Sequence, residues 1–260
     1  MPNYSDFAHH LDLTKEAIST AKIAFLPGDP DRVAKISSYL EEPKELASKR
    51  EFRTHIGKKD GVEVLVVSTG GGAPSVSVVV EELAQLGIEI FVRVGSTGAI
   101  QPNIAIGELV ISNAAVRLEG ASKSFAPIEY PAVSNLSVTN ALISAAVSKK
   151  IKFHTGITAS TDTFYQGQER YDTFSGFVPA HLRGSLKDLQ AIQVLNYEME
   201  AALLFTMCGS MGLKSGCICG VVANRSKSED IASIEEFEES EKTVSLVAIE
   251  STTMLARLLT

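Results

Sequence analysis

Apolar positions along this chain fall into two rhythms, and their alternation predicts most of the elements. Short apolar runs at residues 22–26, 91–94, 108–115, 155–160, 191–195 and 216–222 predict strands. Helical spacing puts Val76, Val79, Val80, Leu83 and Leu86 on one face, and Val244, Val247, Ala248, Leu255 and Leu258 on the inner face of a closing helix. Further helices are predicted from Pro30 to about Leu40, over 136–149 and over 201–211. A hairpin joins residues 54–56 to 62–68 through a turn at 58–61. Strand, helix, hairpin, helix and strand in that order predict an α/β fold on a mostly parallel sheet. Polar stretches fill the rest: a surface arm over residues 1–20, an irregular loop over a pocket at 117–131, and an acidic run at 229–241 read as solvated loop and helix start.

Two places break the pattern. Arg93 lies inside an apolar strand, where a guanidinium that cannot lose its charge is costly unless an anion, or a core glutamate, meets it. Directly after it, Gly95-Ser96-Thr97-Gly98 reads as the end of that strand, with hydroxyls beside the usual ligand position of an open α/β sheet.

At 260 residues and 45% hydrophobic content, the chain can bury one large core, so a single domain spanning 1–260 is expected. A net charge of −7 argues against nucleic-acid or anionic-membrane partners, which makes each arginine's placement informative. No signal peptide or apolar run long enough to span a bilayer is present, so a cytoplasmic protein is expected. The three cysteines, Cys208, Cys217 and Cys219, read as buried thiols. No dinucleotide or Walker fingerprint occurs: after Gly70-Gly71-Gly72 the third glycine of G-x-G-x-x-G is absent, and Pro74 occupies the turn.

Candidate chemistry gathers at strand ends. Asp29 is a good N-cap and Pro30 a good first helical residue, so Gly28 and Arg32 flank amides that either bind an anion or simply open a capped helix. Within 162–172, Gln168 and Arg170 would leave one side of an extended segment, offering an amide and a guanidinium fork to a flat heterocycle on which Phe164 could stack; a polar surface loop fits as well. Glu198 and Glu200 bracket Met199 at a strand-to-helix junction, suited to sugar hydroxyls, acid-base work or the helix dipole alone. A third strand ends at Asn224-Arg225.

Together, residues 27–32, 48–52, 93–101, 164–172, 196–200 and 224–225 resemble the nucleoside phosphorylase family over nearly the whole length. The resemblance implies a three-layer α/β/α domain with a central mixed, mostly parallel sheet. It also implies reversible phosphorolysis of uridine, with inorganic phosphate as co-substrate and no cofactor required. Gly28, Arg32, Arg93 and Ser96 would hold phosphate, with Arg50 from a neighbouring subunit. Met199 and Glu200 would contact ribose, with His10 from the neighbour near the 5′ hydroxyl. Gln168 and Arg170 would read uracil, Phe164 packing on the base and Arg225 nearby, where purine-cleaving relatives carry an aspartate. Arg93, Gln168, Arg170 and Glu200 carry the catalytic assignment. Glu51, Ser75 and the Gly71 carbonyl match a potassium site between paired subunits of a hexamer. Gly71 and Ser96 depart from the family pattern, which has a bulkier apolar residue and Thr. The competing readings are broader deoxyuridine or thymidine use, a purine phosphorylase, a nucleosidase using water, and a nucleoside sensor without catalysis.

Overall fold

Residues 6–226 and 228–259 are described by the computed structural model of this protein. A two-strand ribbon comes first, β1 (Phe7–Ala8) against β2 (Leu13–Thr14). Then follow β3 (Ile23–Leu26), α1 (Pro30–Ser37), β4 (Glu41–Lys49), β5 (Phe52–Lys59), β6 (Val62–Val67) and α2 (Ala73–Leu86). The middle of the chain forms β7 (Ile90–Ala99), β8 (Leu109–Leu118), β9 (Ala132–Val133), α3 (Leu136–Ser148) and β10 (Phe153–Thr161). The last part contributes α4 (Ser185–Ala191), β11 (Asn196–Glu198), α5 (Ala201–Ser210), β12 (Lys214–Asn224), α6 (Ile234–Glu250) and α7 (Thr252–Ala256).

The main sheet is mixed, in the order β11-β10-β8-β12-β7-β3-β6-β5-β4, with β9 beside β8. Parallel ladders join β10 to β8 and β11, β12 to β7, and β3 to β7 and β6. Antiparallel pairing joins β12 to β8 and builds the β4-β5-β6 meander. β11 also pairs with the far end of β7, Tyr197 against Gly98, which folds that side of the sheet back on itself.

The period of two along each strand sorts side chains into two cores. Ile23 and Phe25 of β3, with Ile90, Val92 and Val94 of β7, pack under α1, α3, α6 and α7. Ala24, Leu26 and Phe91 pack under α2 and α5. Arg93 therefore shares a face with Phe91, on the side where α5 begins.

Several expectations need correction. The strand does not break at Gly95: β7 runs on to Ala99, because Ser96 to Ala99 stay paired with Gly220 to Asn224 of β12. Glycine serves a different purpose there. A Cβ on Gly95 would come 2.8 Å from Arg93 Nη2 and 2.9 Å from Cys219 Sγ, so the guanidinium needs that space. Residues 191–195 form no strand; α4 ends there, Gln193 turns the chain at φ 65°, and the strand is Asn196–Glu198. Residues 6–20 are not a surface arm, since Leu11, Leu13 and Ile18 are buried against α2. Helix α1 stops at Ser37, short of Leu40. Residues Glu41–Lys49 form edge strand β4, paired antiparallel with β5, ahead of the hairpin the pattern predicts. The 117–131 loop closes on its own Arg117, whose guanidinium donates to the carbonyls of Ala126, Pro127 and Tyr130, and none of its residues lines the main cavity.

Candidate active site

A cavity of about 540 Å³ opens at the carboxyl ends of β3, β7 and β12. The loops after β3 and β6 knit its floor: Gly70 N donates to Gly28 O at 2.9 Å and Thr69 N to Pro27 O at 2.9 Å. Asp29 caps α1 by accepting from Asp31 N at 2.8 Å, as its position predicts. Arg32, one turn into that helix, is 5% exposed and faces the cavity. Its Nη2 is buried without a hydrogen-bond partner among the described residues.

Arg93 is met by both carboxylates of the strand-to-helix junction. Its Nε lies 2.8 Å from Glu198 Oε2 and its Nη2 2.6 Å from Glu200 Oε2. The core-glutamate alternative is thus realised, yet the guanidinium still lines the cavity. Each carboxylate is fixed from behind. Glu198 accepts from the Glu200 and Ala201 amides at 2.8 and 2.9 Å and from Ser160 Oγ. Glu200 accepts from Gly72 N at 2.7 Å and Met199 N at 3.1 Å. Gly72, at φ 89°, turns that amide toward it as α2 begins. Burial works against the Arg93 charge, but Glu200 and Glu198 hold its pKa above the ordinary guanidinium value. Burial pushes the Glu200 carboxyl up, with Arg93 pulling the other way. Beside them, Thr97 is spent on structure, donating to Tyr197 O and accepting from Asn196 Nδ2 at 2.7 Å, and Ser96 also lines the cavity.

At the other end sit Gln168, Arg170 and Phe164. Gln168 closes a 3-10 turn and Glu169 adopts a left-handed φ of 54°, so the two residues do not share one side of an extended segment. Both are nevertheless buried, brought inward by the turn. The Arg170 guanidinium lies 4.3 Å from the Phe164 ring centroid. Burial lowers the Arg170 pKa, and the neighbouring Arg225 charge lowers it further. Arg225 donates to Gln168 O at 2.8 Å and lies 5.5 Å above the Tyr197 ring.

The acidic run is not simply solvated. Glu229 pairs with Arg170 and, at 2.8 and 2.9 Å, with Nε and Nη2 of Arg225. Glu241 is buried between Arg32, 3.1 Å away, and Lys35, 2.8 Å away. One signal could have found Glu241: it lies three residues before Val244, on the stripe that α6 buries. Phe237, which also lines the cavity, lies four residues before Glu241 on that same stripe and carried the same signal; Ile231, in the loop before α6, had none.

His10 and Arg50 lie outside this cavity. His10 is not left to solvent; its Nδ1 sits 2.5 Å from Glu82 Oε1. Arg50 is exposed at the turn from β4 to β5, at φ 56°. Glu51 and Ser75 flank Gly70, and a Cβ on Gly71 would meet nothing within 4 Å.

The sequence matches the family model of the phosphorylase superfamily over residues 22–259. It is 51% identical to the uridine phosphorylase of Escherichia coli over 242 residues, 93% of this chain and 95% of that protein. Identity is likewise 51% to the uridine phosphorylase of Thermococcus kodakarensis, over 91% of this chain and 83% of that protein. It is 34% to the guanosine phosphorylase of Halorubrum lacusprofundi, over 78% of each. Matched by the family model over residues 22–259 and half identical to these uridine phosphorylases over more than nine-tenths of its length, the chain belongs to the phosphorylase superfamily.

Proposed function

We propose that this chain is a pentosyltransferase that cleaves uridine reversibly with inorganic phosphate, giving uracil and ribose 1-phosphate in pyrimidine salvage. The carrying observation is one cavity with two unlike ends: buried Arg32 and Arg93 with Ser96 at one, and Gln168, Arg170 and Phe164 at the other. Half-identity to uridine phosphorylases over 93% of the chain supports the same reading.

The chemistry follows from the charges. Phosphate is a weak nucleophile, so the site must position it and stabilise charge that develops elsewhere. Arg32, Arg93, Ser96 and the backbone at Gly28 hold it beneath C1′. One phosphate oxygen bonds to C1′ as the N-glycosidic bond breaks. The bonding pair leaves with uracil, whose anion takes a proton from water. Positive charge gathering on the ribose is supported by the phosphate, while Gln168 and Arg170 take up the charge on uracil, with Arg225 behind them. Met199 and Glu200 hold the ribose. Glu198, turned onto Arg93 and the α5 amides, positions that guanidinium rather than attacking the sugar.

Arg50 and His10 complete the site of a neighbouring copy, in a hexamer built from dimers. Arg50 is exposed and His10 partly so, both outside this chain's own cavity, which supports that placement. Glu51, Ser75 and the Gly71 carbonyl would offer hard oxygen donors suited to potassium between paired subunits. Among the described residues no helix is long and apolar enough to cross a membrane, and a cytoplasmic location fits a salvage enzyme.

The test is uridine cleavage with and without phosphate, followed by the loss of absorbance as uracil forms. Dependence on phosphate with ribose 1-phosphate as product supports the reading; cleavage indifferent to phosphate makes the chain a nucleosidase. For the shared site, mixing Arg50→Ala and Arg170→Ala subunits should restore activity that neither has alone, because one hybrid site regains both arginines.

A further inference from the structure

Glu241 is a carboxylate beside a site built for an anion. By charge alone it should weaken phosphate binding. It lines the main cavity together with Arg32, and both also line a second groove of about 370 Å³ between α1 and α6. Lys35 borders that second groove but not the main cavity. It stands one turn beyond Arg32 on α1, so both side chains leave the helix toward Glu241. The two Glu241 oxygens are divided between them: Oε1 lies 3.1 Å from Arg32 Nε and Oε2 2.8 Å from Lys35 Nζ. Glu241 meets Nε as an ion pair rather than through an aligned hydrogen bond, and both Nε and Nη2 are buried without a hydrogen-bond partner among the described residues, so Nη2 keeps its donors for a ligand.

We propose that Glu241 is a positioning residue that holds Arg32 by its Nε so that the free edge of the fork meets phosphate, and that Lys35 neutralises Glu241 from outside the site. The inference rests on the phosphorolysis reading and adds a determinant of phosphate affinity to it. A buried carboxylate needs a counter-charge. Arg32 alone would satisfy Glu241 only by giving up charge that phosphate needs, and Lys35 supplies the remainder.

The sign of one substitution separates positioning from bare charge. Glu241→Gln removes a negative charge near an anion site, so charge alone would tighten phosphate; lost positioning loosens it. Calorimetric titration with inorganic phosphate should show Kd raised roughly five- to tenfold in Glu241→Gln, with the KM for uridine within about twofold. Lys35→Met, at a half-exposed position that should not disturb folding, should raise phosphate Kd by roughly the same factor, but by less than about twofold when placed in Glu241→Gln. Tighter phosphate in Glu241→Gln, or an equal effect of Lys35→Met in both backgrounds, overturns the proposal. So do parallel changes for uridine. Wild-type protein that binds no phosphate overturns the phosphorolysis reading as well, whereas wild-type binding with the wrong sign in Glu241→Gln overturns this inference alone.

Discussion

Two ion clusters sit at opposite ends of the sheet and are built on opposite rules. At the amino ends of β8 and β10, Glu108 meets Lys152 at 2.5 Å, His154 at 2.7 Å and the Ala105 amide at 3.0 Å, and the Lys152 side chain is 69% exposed. Near the carboxyl end, Arg93 meets Glu198 and Glu200 with its side chain only 8% exposed. The first cluster is complete and touches water, so it asks for nothing further. The second has been taken out of water at a cost that surface pairs never incur, and it opens onto a cavity. Buried charge with unfinished coordination marks the place where a ligand is expected; charge of equal density at the wet end does not.

The sharpest way to break this contrast is Arg93→Ala. It strands two carboxylates in the interior, so unfolding free energy in urea should fall by about 3–5 kcal/mol. The kcat/KM should fall at least about a thousandfold, because the lost guanidinium serves both the fold and the phosphate. Arg170→Ala acts at the other end of the cavity. Uridine turnover should lose roughly 2–4 kcal/mol of barrier stabilisation while phosphate Kd stays within about twofold. Equal losses for both substrates would refute the division of the cavity into two ends. Gly95→Ala sharpens the contrast without touching charge. Its Cβ would collide with the Arg93 guanidinium, at about 1–3 kcal/mol of stability, and phosphate affinity should suffer more than uridine affinity.

The smallest effect belongs to the wet cluster. Burial opposes ionisation of Glu108, but the Ala105 amide, Lys152 and His154 bring its pKa down from 4.5 to about 2. A carboxyl depressed in the folded state contributes stability that is present above pH 4.5 and lost as pH falls through about 2. Glu108→Gln should therefore leave turnover unchanged and flatten the fall of Tm across that window.

What the sequence disclosed and what it hid follow from the range of the forces involved. Arg93 stood out because a charge in an apolar run is a local contradiction. The order of strands and helices was legible because period is local too. Gly95 to Gly98 misled because those glycines answer to the space a neighbouring side chain occupies, not to a turn. Residues 191–195 misled because an apolar helix end and an apolar strand look alike over five residues. Glu229 was hidden among carboxylates of equal appearance, and only the packing of its loop on Arg170 and Arg225 tells it from its neighbours, whereas Glu241 was legible through its place on the buried stripe of α6.

The position of β12 has a consequence for how the protein is made. Its slot lies inside the sheet, between β7 and β8, yet among the described residues it is the last strand to be synthesised. Until residues 214–224 emerge, β7 and β8 must wait on the ribosome with unpaired edges facing each other, and long-range closure of this kind is slow and prone to aggregation. The nascent chain is thus most vulnerable late in synthesis, and a holding chaperone would find its target in the open gap between those two strands.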